Sequence, residues 1–291
     1  MATRTTSSPR TLVAIVVGLT VMVALMLLAF AAPALNSGPK DLPLAVSGPE
    51  QATSRVTAAL DEQAPGTFDV TTYATEQEGA EAIADREAIG GIAVGAKGVT
   101  VQTATGAGAA YTQVLKGVGA GLEKSGQKVT YVELAPTTTD DPQAVGVSTL
   151  GLPLVFGGMA GDYWLTSLSI SAGILAISAT VLGLGTLVGA PGIGIGAVTM
   201  LFVANPLSGL ANGPQWLPGV WGEVGQLLPV GAAGSLVRSV AFFDGGGAMS
   251  HLVVLAVWIV LGVALAGVGV AGQGRGTHVA TAEREEALAS A

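Results

Sequence analysis

The sequence predicts an α-helical polytopic membrane protein carrying an inserted extracytoplasmic α/β domain, a mixed sheet with helices. Three observations carry this expectation. Half of the residues are hydrophobic while only 11% are charged, a balance that belongs to membrane proteins. The charges are clustered: between Asp141 and Arg275 the only ones are Asp162, Glu223, Arg238 and Asp244, and Tyr163 to Leu210 holds none. A span needs about 20 mostly apolar residues to cross roughly 30 Å of hydrocarbon, so that run is long enough for two. Residues 40–143, in contrast, alternate short β runs with helical periodicity, the pattern of an α/β domain.

The elements follow in order. Residues 1–11 are polar and basic and read as a cytoplasmic N-terminus, because Arg4 and Arg10 precede the first apolar run and no basic residue follows until Lys40. Leu12–Ala32 is a transmembrane helix about 32 Å long, stopped by Pro33, Asn36, Gly38 and Pro39. A cleaved secretory signal is the rival reading, but its apolar core would span only about 7–15 residues. In the domain at 40–143, LPLAV (Leu42–Val46) is a buried strand and PEQATSRVTAALDEQ a helix with Ala52, Val56, Ala59 and Leu60 on one face. FDVTTY alternates as a half-buried strand, and Thr75 with Glu78 forms a capping box opening a helix that turns Ala80, Ile83 and Ala84 inward. GGIAV and VTVQTAT flank a turn at 95–98. Tyr111, Val114, Leu115, Val118 and Leu122 mark a further amphipathic helix, and KVTYVEL is the last strand.

The apolar half divides less cleanly. Residues 145–161 are short and contain Pro153, reading as a partial or re-entrant segment. Spans are expected at 163–189, 192–204 and 250–272, with a cytoplasmic tail at 273–291. Residues 205–247 hold Pro206, Pro214, Pro218, Pro229, Trp216 and Trp221, as befits an outer re-entrant or interfacial loop with aromatic anchors. Counting 145–161 as a full crossing gives five spans. Counting it as partial gives four, which puts Arg275 on the same side as Arg4 and Arg10 and satisfies the positive-inside bias. Both termini are then cytoplasmic and the protein is a multi-pass component of the cell membrane.

No catalytic constellation emerges, so the chain is read as not an enzyme, with no cofactor and no metal. Neither a phosphate-cradling Gly-x-x-x-x-Gly-Lys-Ser/Thr nor a Gly-x-Ser-x-Gly elbow occurs. His251 and His278 stand alone and far apart, and the absence of cysteine removes thiolate sites. No Lys/Arg cluster offers phosphate contacts to nucleic acid. Gly106–Tyr111, GAGAAY, precedes a helix where an anion could sit, but a Gly-rich turn is the simpler reading. Ionisable groups in a membrane are functional candidates by default. The four isolated charges nevertheless read best as anchors at the water interface, with Arg238 close enough to Asp244 to pair.

The stretches GLPLVFGGMAG, DREAIGGIAV and NPLSGLANGPQWLPGVWGEVGQLLPVGAAGSLVRSVAFFDGG are similar to those of the ABC-2 type transporter permeases of actinobacteria, a family related to the phage-infection-protein membrane group. The resemblance covers most of the chain and is most specific in the third stretch. It implies an extracytoplasmic α/β domain before the second span, an outer last loop at 205–247, and a separate ATP-binding subunit docked on the cytoplasmic face. Asn205, Pro206, Gly209, Pro218, Trp221, Gln226, Pro229, Gly231, Gly234 and Arg238 occupy the motif, as structural residues of an outer gate. Such permeases have six spans and a basic loop after the second. This chain has no Lys or Arg between Lys128 and Arg238, as though about one transmembrane hairpin's worth were missing. The expected function is an exporter's permease subunit in the lipid bilayer, as a homodimer. The alternative is a non-transporting, membrane-anchored surface protein whose outer domain binds a ligand, phage component or envelope polymer.

Overall fold

The computed structural model describes residues 38–139, 141 and 161–289, with scattered positions between 9 and 27, and side chains as far as 272. The expected first span at 12–32 and the segment at 145–161 lie largely outside the described residues.

The α/β domain comprises β1 (Leu42–Ser47), α1 (Glu50–Gln63), β2 (Phe68–Tyr73), α2 (Glu76–Ala84), β3 (Gly91–Gly95), β4 (Gly98–Thr103), α3 (Ala109–Lys124) and β5 (Val129–Glu133). The sheet order is β2-β1-β3-β4-β5. Only the β3–β4 hairpin is antiparallel; the other neighbours run parallel because helices connect them. The interior strand β1 is apolar from Leu42 to Val46, since both its faces are covered. Leu44 and Val46 meet Val56 and Leu60 of α1 and Leu115 of α3 on one side. Ala45 meets Ile83 of α2 on the other. The capping box at Thr75 forms as expected, Glu78 N donating to Thr75 Oγ1 at 3.2 Å and Thr75 N to Glu78 Oε2 at 3.2 Å. The buried face of α2 is rotated from the expected one: Gly79, Ala82 and Ile83 are buried, whereas Ala84 is exposed. Gly79 faces Ser47 and Ala45 of β1.

In the second half, α4 (Tyr163–Val188), α5 (Ala190–Leu207) and the first 25 residues of α8 (Ala248–Ala289) are long and apolar enough to cross a membrane, which suggests a membrane protein. Their large side chains face outward, Leu168 at 66% and Val260 at 68% exposure, while small residues make the contacts, as in helix pairs immersed in lipid. Gly183 lies against Leu265 Cβ, Gly262 against Ala179 and Thr180, and Gly269 against Thr186, so α4 and α8 run parallel. Gly196 lies against Val181, and α5 returns antiparallel after the tight reversal at Gly189 (φ 80°). The span expected at 192–204 lies within a longer helical run. The helical run begins at Ala190 and passes through Asn205 and Pro206 by widening into a π-turn at Met200–Ala204. The wider turn relieves the backbone bond that Pro206 cannot donate.

Residues 205–247 are also more regular than expected, containing α6 (Trp221–Gln226) and α7 (Pro229–Phe242). Pro229 starts α7 where its missing N–H costs nothing.

Candidate functional site

The α6–α7 pair folds back into the helical half. Trp258 Nε1 donates to Leu227 O at 2.8 Å, and Trp258 lies ten residues beyond Ala248 in α8, about 15 Å along its axis. The α6–α7 corner thus lies that far along α8 from its start, a length comparable to half the thickness of a bilayer's hydrocarbon core, roughly 15 of 30 Å. From there α7 climbs back between α4 and α8, its Ala232, Ala233 and Leu236 packed on Ala176 and Leu255. The climb ends under the α/β domain, where Phe243 joins that domain's core beside Ile83, Ala107 and Tyr111.

The junction is polar at its centre. Arg86 follows α2 and donates through Nη1 to Ser235 O at 2.8 Å and Ser239 Oγ at 2.6 Å, both on α7, with its guanidinium 5.5 Å from the Phe243 ring centroid. Tyr111 Oη donates to Gln215 Oε1 at 2.5 Å and its ring meets Trp216 edge-on at 5.2 Å. Gln226 ties the loop together, donating to Ser208 O at 2.7 Å and accepting from Ser235 Oγ at 2.6 Å. Between these groups lies a cavity of about 200 Å³, lined in part by Arg86, Arg238, Tyr111, Gln226, Ser235 and His251.

Its electrostatics are one-sided. Arg238 is 6% exposed, its Nη2 donates to Leu210 O at 3.4 Å, and its Nε has no hydrogen-bond partner among the described residues. Among the described residues, the lining contains no Asp or Glu. Burial, then the nearby Arg238 charge, pulls the Arg86 pKa down to about 10, which the Tyr111 hydroxyl partly offsets. Burial raises the Tyr111 pKa to about 12 although both arginines oppose it. Arg86 also holds a left-handed backbone, φ 61°, worth about 1 kcal/mol of strain for a residue with a side chain.

The expectation that the four isolated charges anchor at the water interface is corrected for one of them. Asp162, Glu223 and Asp244 are exposed, with Asp162 capping α4 through Leu165 N at 2.8 Å. Arg238 is buried, because α7 turns it towards the α/β domain, and its hydrogen bond goes to Leu210 O rather than to Asp244. Of the motif residues, Gly209, Gln226 and Arg238 line the cavity. Pro229, Gly231 and Gly234 are buried in the fold-back: Gly231 packs on Gly225 O and Gly234 on the Leu210 side chain. Asn205 accepts from Ser208 Oγ at 2.6 Å and Pro206 follows the π-turn. Pro218 and Trp221 are exposed and stand apart from the cavity. Sequence reading missed Arg86, Tyr111 and His251 as partners of Arg238, since nothing in linear spacing joins residues 86 and 238. A signal existed in DREAIGG, where an arginine follows a capped helix, and in GAGAAY, noted for an anion.

Compared with protein-family models, curated proteins and solved structures, the chain matches none. Its function is read from this junction.

Proposed function

We propose that the chain is the membrane permease subunit of an ABC-type exporter, driven by a separate ATP-binding subunit. The observation that carries this reading is the α6–α7 fold-back, which reaches roughly half the depth of the apolar helices beneath the α/β domain. Broken, non-spanning helices at such depth are tolerated only where they are buried in protein or line a cavity, and they form the binding and gating elements of transporters. The π-turn next to Pro206 adds a second interruption of the kind found at functional sites. In this reading the α/β domain lies outside the cell, the fold-back enters the membrane from that side, and both termini lie inside. The sharp α4–α5 turn at Gly189 would face the cytoplasmic ATPase. The exported substrate is hydrophobic or amphipathic, matching the apolar flanks.

A second reading, a membrane-anchored surface receptor, is favoured by one feature. No basic residue lies between Lys128 and Arg238, where a docking loop for an ATPase would be expected. Purification of the full chain from its native membrane in mild detergent separates the two. The exporter reading expects a nucleotide-binding subunit to co-purify and its ATP hydrolysis to change when the chain is added back. A chain that always purifies without one, and leaves hydrolysis by the candidate subunits unchanged, sinks the exporter reading.

A further inference from the structure

We propose that the junction cavity between the α/β domain and α7 is a binding site for a phosphate-type oxyanion, with Arg238 and Arg86 as its charged ligands. This is independent of transport and would hold equally for an anchored receptor.

The argument starts from cost. A buried cation is tolerated when it is paired or well hydrogen-bonded, and a guanidinium offers five donors in a fixed fork. Arg238 is 94% buried, since its exposure is 6%, yet among the described residues it has one long bond to Leu210 O and an unpartnered Nε. The chain has 20 Asp and Glu residues, but among the described residues none lines this cavity. Glu223 and Asp244, nearest in sequence, stay exposed. A cation needed only to hold the junction together would be expected to face a carboxylate. Instead a second cation, Arg86, is brought to the same cavity on a left-handed backbone. It is held there by Ser235 and Ser239.

Two guanidinium groups lining one cavity match a phosphoryl group better than a single carboxylate, because its charge approaches −2 and three oxygens accept hydrogen bonds. A volume of about 200 Å³ limits the occupant to a small head. The same chemistry is presented by a free phosphate ester and by the headgroup of an anionic phospholipid.

The test uses the full chain in uncharged detergent, with thermal unfolding as readout. Inorganic phosphate is titrated against chloride at matched ionic strength. In parallel, a short-chain phosphatidic acid is titrated against short-chain phosphatidylcholine. The proposal expects a saturable upward shift with at least one phosphoryl probe. A response to inorganic phosphate marks a soluble ligand; a response to phosphatidic acid alone marks a lipid headgroup. In Arg238→Met and Arg86→Met the shift should vanish. Arg238→Lys keeps the charge but loses the fork and should bind at least tenfold more weakly; it decides the matter should Arg238→Met fail to fold. No shift beyond the controls with either probe, or a shift that survives unchanged in the arginine variants, overturns the proposal.

Discussion

Tyr111 stands at the centre of the junction because its side chain has two natures. Its ring packs with Ile83, Ala107 and Phe243, while its hydroxyl reaches Gln215 across the boundary. Tyr111→Phe keeps the ring and leaves Gln215 Oε1 without its donor. The expected loss is about 1 kcal/mol, measured by thermal unfolding of the full chain. The sign of its titration is also fixed. The folded pKa, about 12, lies above the ordinary 10, so the contact contributes fully below pH 10 and is lost as pH rises through about 12. Ultraviolet titration should show a tyrosine that resists ionisation to about pH 12 and is missing in Tyr111→Phe. Gly106 is the other sensitive position, since any Cβ there would meet Phe242. Gly106→Val should cost about 1–3 kcal/mol through overpacking and make the loop at 243–247 more susceptible to protease.

At the level of elements, the α/β domain and the apolar half rest on different physics. In the former, strands and helices form because period and caps agree, so local substitutions have local costs. Thr75→Ala removes one side of the capping box and should destabilise α2 by about 1 kcal/mol, read as faster hydrogen exchange over 76–84. In the latter, large side chains point outward and helices are joined through glycine. Gly262→Leu would force its side chain into Ala179 and Thr180 and separate α4 from α8. The expected result is a marked fall in detergent stability. An unchanged melting temperature would show that this parallel contact is not what holds the helices together.

For the whole molecule, the question is which side of a membrane each part occupies. Cysteine substitution is clean because the native chain has none. Ser125, Ala190 and Asn212 are all exposed, and the exporter topology expects Ser125→Cys and Asn212→Cys to label from outside intact cells while Ala190→Cys does not. Labelling of all three from one side would refute a crossing by α4. Ser208, between Ala190 and Asn212, is 1% exposed and would report packing instead of topology.

The sequence by itself determined the division into an α/β domain and an apolar half, the strands and the capping box. It also determined α4 and the last long apolar helix, because these depend on short-range period, caps and run length. Tertiary structure decided what depends on meetings between distant residues. The face that α2 buries, the continuation of α5 through Pro206 and the folding-back of α6–α7 were not legible in local pattern, since each answers to a neighbour more than to its own residues. The same holds for the site. Arg238 was legible as a charge in an apolar context, but its burial beside Arg86, Tyr111 and His251 comes from one helix returning beneath a domain whose Arg86 lies 149 residues before the Ser235 it bonds.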